Sequence, residues 1–143
     1  MPVIEWDKKL SVGIGVIDAL HKNLINQMNN IALSAELGAR PSDLAVLLRM
    51  LRADMRDHCD FEEALMDPMA YSQYKLHRNE HLRADELLLE FHDNLLKEQH
   101  FSLSSYLTGV VHYFYSHIRC VDLSLGEFAR DQFPRQEPSG RAA

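Results

Sequence analysis

Apolar residues recur at steps of three and four along four long stretches of this chain, the spacing of one face of an α-helix. The first stripe reads Ile17, His21, Leu24, Met28, Ile31 and Ala35 and predicts a helix over about 16–37, stopped at Gly38. Pro41-Ser42-Asp43 reads as the next start. The second stripe runs Leu44, Leu48, Leu51, Met55, His58, Glu62, Leu65 and Met69, which predicts a helix over about 43–66. Asp67-Pro68 closes it, because the residue before a proline disfavours the helical basin. The third stripe, Tyr74, His77, His81, Ala84, Leu88, Phe91 and Leu95, predicts a helix over about 71–97. The fourth starts near Ser102 or Ser104, either a suitable N-cap, and carries Leu103, Leu107, Val110, Phe114, His117 and Val121. A short helix is expected at 123–131.

Residues 1–13 have no helical period and read as an extended arm folding back through Val3, Ile4 and Trp6. Residues 134–143, with Pro138, Ser139 and Gly140, read as a disordered tail. The expected fold is all-α: an up-down-up-down antiparallel four-helix bundle with an N-terminal arm and a short C-terminal helix, as one domain over 1–133.

The polar members of these stripes carry the chemistry. His21, His58 with Glu62, His77 with His81, and His117 all occupy positions that should face the core. Left without partners, each buried imidazole would cost about 1–3 kcal/mol, a large share of a domain's stability. In an antiparallel bundle His21 lies early in its helix, His58 and Glu62 late, His77 and His81 early, and His117 late, so all meet at one end. His100, His112 and His92 fail this test: the first lies in a loop, the second is off its stripe, and the third sits about 16 Å further along its helix than His81. Asp122 follows His117 by five residues, a step of about 140° on a regular helix, so a shared face requires the helix to end, tighten or bulge between them.

Composition changes the picture little. A hydrophobic share of 46% with 25% charged residues fits an ordinary globular domain. A net charge of -6 argues against a nucleic-acid partner. No stretch reads as a membrane span or a secretory signal, and the two cysteines, Cys59 and Cys120, do not suggest a disulfide framework, so a cytoplasmic location is expected. Five imidazoles and two carboxylates exceed the ligand count of a structural zinc site and suit two iron ions bridged by carboxylates. The chain has no Glu-x-x-His pair of the kind that builds carboxylate-rich di-iron bundles.

Trp6, Gly13-Ile14, Ile17-Asp18 with His21, His58-x-x-x-Glu62-Glu63-x-x-Met66, His77-x-x-x-His81 and His117-Ile118-x-x-x-Asp122 together resemble the hemerythrin family in its single-domain bacterial form, over about residues 3–125. The resemblance implies a di-iron centre bridged by Glu62, Asp122 and a hydroxo or oxo group. It implies that His77, His81 and His117 bind one iron and His21 and His58 the other, which leaves that second iron with one open position for O2. Reversible oxygen binding for storage, delivery or sensing is the implied function. A sensor would act through a protein partner that the sequence does not identify.

The ligand pocket implied by the resemblance involves Leu24, Cys59, Tyr113, Phe114 and Ile118. Cys59 stands where the family usually has an aromatic residue, Tyr113 where it has Trp, Ala84 where it has Phe, and Leu20 where Gln is frequent. These departures suggest a roomier and more polar pocket, faster autoxidation, and easier access for peroxide, nitric oxide or azide. An enzyme reducing peroxide or nitric oxide, or a redox or nitric oxide sensor, is therefore the alternative. Cys59 reads either as a redox-active thiol or as a small buried hydrophobe. Asp18 and Glu63 read either as carboxylates next to the ligands or as solvated ones. Tyr113 reads either as a hydrogen-bond donor into the pocket or as a packing residue.

Overall fold

The computed structural model describes residues 3–67, 70–97 and 102–132. Pro2, Pro68, Met69, His100 and the expected tail at 134–143 lie outside the described residues. Four helices form the bundle: α1 (Gly15–Glu36), α2 (Pro41–Leu65), α3 (Tyr74–Leu96) and α4 (Leu103–Ser116). A π-helical segment, His117–Asp122, continues α4 without a break into α5 (Leu123–Gln132). Among the described residues there is no strand.

Side-chain contacts fix the directions. Asn23 and Gln27 on α1 both reach Asp54 on α2, while His21 meets His58, so the two helices run antiparallel. Going up α2, Arg49 meets His92, Arg52 meets Asp85 and Glu63 meets His81, which sets α3 antiparallel to α2. Tyr106 bonds Asn94 and Glu90 while Tyr113 bonds Glu80, so α4 reverses α3. The structure is an all-α antiparallel four-helix bundle.

Helix ends follow local chemistry. Pro41 opens α2, where its missing N–H costs nothing. Gly38 follows α1 with φ of +84°, the left-handed conformation that ends many helices. Ser102 caps α4 by accepting from the Ser105 amide at 3.2 Å. Helix α3 starts at Tyr74 rather than 71, because residues 70–73 are spent in turns that bury Tyr71 against Phe128, with ring centroids 4.8 Å apart.

The apolar stripes meet as sequence periodicity requires. Leu10, Ile17, Leu24, Met28, Leu51, Leu88, Phe91 and Leu125 are fully buried. Each contributes about 1.5–3 kcal/mol relative to exposure. The arm is tied to the middle of α1 by Asn29, whose Oδ1 accepts from the Val3 and Ile4 amides and whose Nδ2 donates to the Ile4 carbonyl. Lys22 lies 5.0 Å over the half-buried Trp6 ring. Asp18 accepts from Ser11 Oγ and from the Val12 amide at 2.9 Å, so this carboxylate closes the arm onto the start of α1.

The arm then passes under α5 so closely that a Cβ on Gly126 would lie 2.1 Å from the Val12 carbonyl oxygen. Gly126→Ala is expected to push these segments apart and lower stability by about 1–3 kcal/mol, the usual cost of overpacking. Urea denaturation of the two proteins checks this; equal midpoints would show that the contact yields freely.

Candidate metal centre

The end of the bundle where α1 and α3 begin and α2 and α4 end collects His21, His58, Glu62, His77, His81, His117 and Asp122, all buried. All but Asp122 lie on the inward stripe of their helices, and Glu62 stands at the middle. Its Oε2 is 3.1 Å from His21 Nε2 and 2.6 Å from His58 Nε2. Its Oε1 is 3.1 Å from both His77 Nε2 and His81 Nε2. Asp122 spans the same gap from the other side: Oδ2 is 3.0 Å from His21 Nε2, and Oδ1 is 2.8 Å from His77 Nε2 and 2.9 Å from His117 Nε2. Two donor sets result, sharing both carboxylates: His21, His58, Glu62 and Asp122; and His77, His81, His117, Glu62 and Asp122.

The π-helical segment brings Asp122 into the centre. A regular helix would turn it away from His117, whereas an i→i+5 turn brings the fifth residue back over the first. The sequence spacing required an irregularity here, and the structure shows which one.

Two observations test whether this cluster suits metal ions. Donor atoms about 2.1 Å from a common octahedral centre lie about 3.0 Å apart along each edge. Apart from the shorter 2.6 Å contact between His58 and Glu62, the contacts above lie within 2.8–3.1 Å, as does the 2.9 Å between His21 Nε2 and His58 Nε2. Second, His117 Nε2 and both Asp122 oxygens are buried and make no hydrogen bond, although they lie close to one another. Buried polar atoms left in this state call for an ion or another partner. The residues therefore fit bound cations.

Without a cation, charge compensation falls to protons. Burial alone would lower the pKa of His21 and His77, but contacts with Asp122 and Glu62 outweigh it and raise both to about 9. His117 is raised in the same way, against burial, chiefly by Asp122. Burial opposes ionisation of Glu62, yet His58, His21 and His77 hold it well below the usual carboxylate range. Asp122 is also depressed, against burial and the Glu62 charge, by His117 and His21.

Beside the centre, between α2, α3 and α4, lies a cavity of about 20 Å³. Met55, Ala84, Leu87, Leu88, Val110, Tyr113 and Phe114 wall it, and His58, His81 and His117 border it. Of the residues expected to form the ligand pocket, Tyr113 and Phe114 line this cavity. Leu24 and Ile118 are buried but form none of its wall. Cys59 faces a different groove, between α2 and α3.

The polar pocket suggested by the sequence is not formed. Tyr113 turns its hydroxyl to Glu80, 2.6 Å from Oε2 and 2.9 Å from the carbonyl oxygen, and offers the cavity only its ring. The Cys59 thiol is buried, and burial together with the Glu62 and Glu63 charges pushes its pKa far up, so it remains protonated. Its burial fits the small buried hydrophobe of the two readings.

The remaining histidines lie elsewhere. His92 contacts Arg49 and Asp93, and His112 is exposed. Sequence reasoning missed Glu80 and left Glu63 undecided. Glu63 Oε2 lies 3.0 Å from His81 Nδ1, and Glu80 Oε1 lies 3.6 Å from His117 Nδ1. Glu63 and Glu80 are each sequence neighbours of an inward residue, Glu62 and His81, which was the available signal.

An antiparallel bundle with a buried histidine and carboxylate cluster built from all four helices is a cation-binding helical bundle. The family model described as hemerythrin HHE cation binding domain matches residues 12–128, and the chain belongs to that family. It is 27% identical over 149 aligned residues to a bacteriohemerythrin of Stenotrophomonas maltophilia, spanning 98% of this chain and 92% of that protein. Bacteriohemerythrins of Pseudomonas paraeruginosa and Pseudomonas aeruginosa are 31% and 30% identical over 81 residues, covering 57% of this chain and 52% of theirs. No described helix is long and apolar enough to cross a membrane.

Proposed function

We propose that this protein binds O2 reversibly at a pair of iron ions, which Glu62 and Asp122 would hold in common, with His77, His81 and His117 as further ligands to one and His21 and His58 to the other. The observation that carries the reading is the uneven division of five imidazoles about two shared carboxylates, three on one side and two on the other. An ion on the two-histidine side would therefore have one protein ligand fewer and room for a small ligand. Two ferrous ions, if held by these residues, would supply the electrons for reversible binding of dioxygen.

The chain's own residues set the conditions. Glu62 and Asp122 hold the two halves at a fixed separation and supply negative charge where water cannot. His58 of the two-histidine side borders the cavity, together with His81 and His117 of the three-histidine side, so a small ligand in that cavity lies beside both halves. The cavity has room for about one small molecule, since a water needs about 10–15 Å³. Its apolar wall disfavours water and the proton traffic that leads to irreversible oxidation.

This dry wall favours slow rather than fast autoxidation, against the expectation from residue substitutions alone. A protonated Cys59 outside the cavity likewise favours a carrier or store over an enzyme acting on peroxide or nitric oxide. Azide and nitric oxide remain suitable small probes of the cavity. Both thiols are free, which suits work in the cytoplasm.

The test is optical. Anaerobic diferrous protein mixed with oxygen is expected to develop a charge-transfer band that disappears on degassing and returns with oxygen. Irreversible bleaching accompanied by turnover of added peroxide would favour the enzyme. A chain that retains no iron after anaerobic reconstitution would end the proposal.

A further inference from the structure

The five imidazoles turn Nε2 inward, and their outer Nδ1 atoms meet unequal surroundings. His81 Nδ1 donates to Glu63 Oε2 at 3.0 Å. Glu62 and Glu63, adjacent on α2, thus grip opposite ends of one ring, with Glu62 Oε1 3.1 Å from Nε2. His117 Nδ1 faces Glu80 Oε1 at 3.6 Å, a charge contact rather than a hydrogen bond. Tyr113 holds that carboxylate in place through its hydroxyl. On the other side, the Cys59 sulfur lies 3.8 Å from His58 Nδ1, and His21 Nδ1, like His77 Nδ1 on the three-histidine side, has no hydrogen-bond partner among the described residues. Both outward carboxylates therefore serve the three-histidine half and neither serves the two-histidine half.

We propose that Glu63 and Glu80 are positioning residues that make the three-histidine half the first and tighter of the two to take a metal ion. The inference rests on the two-metal reading above. A neutral imidazole carries one proton, and it can bind metal through Nε2 only when that proton sits on Nδ1. A carboxylate at Nδ1 selects this tautomer, fixes the ring plane and makes Nε2 a stronger donor. A thiol at 3.8 Å does none of these well. The asymmetry is built into α2 and α3 before any ion arrives. It orders the assembly of the centre: the three-histidine half fills first, and the bridging carboxylates it orients then complete the other half.

Anaerobic titration of the metal-free protein with Co2+, followed by its visible absorption, reads this directly. The unaltered chain is expected to fill in two steps, the first tighter. Glu63→Ala is expected to weaken the first step about tenfold or more and leave the second unchanged. Glu63→Gln keeps an acceptor oxygen for the Nδ1 proton and is expected to recover most of that loss. Tyr113→Phe, which releases Glu80, is expected to weaken the first step by a smaller factor. Asp60→Asn makes the same charge change as Glu63→Gln at an exposed neighbour and is expected to change neither step. An unchanged first step in Glu63→Ala, or an equal loss in Asp60→Asn, would overturn the inference. Two equal steps in the unaltered chain would overturn it while leaving the two-metal reading intact. Uptake of fewer than two equivalents would overturn both.

Discussion

Glu62→Ala is expected to yield a folded bundle that retains no iron at either half of the centre. Among the described residues, Glu62 is the one side chain whose two oxygens each approach a pair of imidazoles, His21 and His58 on one side and His77 and His81 on the other. Removing it takes a donor from both sets at once and leaves Asp122 as the sole remaining span. Loss of any single histidine removes a donor from one set only. His92→Ala, eleven residues beyond His81 and engaged with Arg49 and Asp93, is expected to keep its iron.

Stability of the metal-free form should fall as well, and with a defined pH dependence. His21 and His77 are held protonated by Glu62 and Asp122, with pKa raised from 6.5 to about 9. A raised imidazole pKa contributes stability that is complete below the unfolded value and is lost as pH rises through the folded one. Removing Glu62 should therefore cost about 3 kcal/mol near neutrality, toward the lower end for breaking a buried pair, and progressively less as pH rises past 9. Metal content by atomic absorption and urea denaturation across this pH range check the two halves. Retention of iron by Glu62→Ala would remove the bridging role. A stability deficit that grows with pH would mean the imidazoles are not the charged partners.

The bundle was legible because burial imposes a period on sequence. A helix with one face in the core must place Leu44, Leu48, Leu51 and Met55 three or four residues apart, and a histidine falling on that stripe is conspicuous. His21, His58, Glu62, His77, His81 and His117 stood out for that reason. Asp122 was harder: its spacing from His117 violates the regular helix, and only knowledge of how the backbone bulges says whether it points in.

Outward contacts were not legible. Glu63 and Glu80 sit between stripes, where carboxylates are common, and nothing in the local sequence shows that they reach His81 and His117 across a helix interface. The direction of the Tyr113 hydroxyl depended on Glu80, one helix away. Residue types alone therefore made the pocket look polar, while tertiary contacts turn those polar atoms elsewhere. Asp18 shows the same limit: it closes the arm through Ser11 and Val12, a role that requires the arm's path to be known.

Ala84→Phe is expected to slow the binding of azide to the diferric protein tenfold or more while leaving its iron content unchanged. Ala84 lies half-buried on α3 in the cavity wall, near Leu87 and Tyr113, which are also half-buried, so this seam between α3 and α4 is where the cavity comes nearest solvent. A phenyl ring is several times larger than a space of about 20 Å³. Turned inward, it must fill the cavity and cover the edges of His58, His81 and His117; the crowding should cost about 1–3 kcal/mol of stability. The residues proposed to hold iron are untouched, since Ala84 is not among them. Oxygen should then enter and leave more slowly, and the oxygenated form should outlast that of the unaltered chain because water is excluded further. Leu82→Phe, on the exposed side of the same helix, controls for a larger side chain on α3 and is expected to change neither rate. Stopped-flow azide binding, with iron measured on the same samples, separates access from assembly. Equal azide rates in Ala84→Phe and the unaltered chain, at equal iron content, would mean that small ligands do not reach the centre through this cavity.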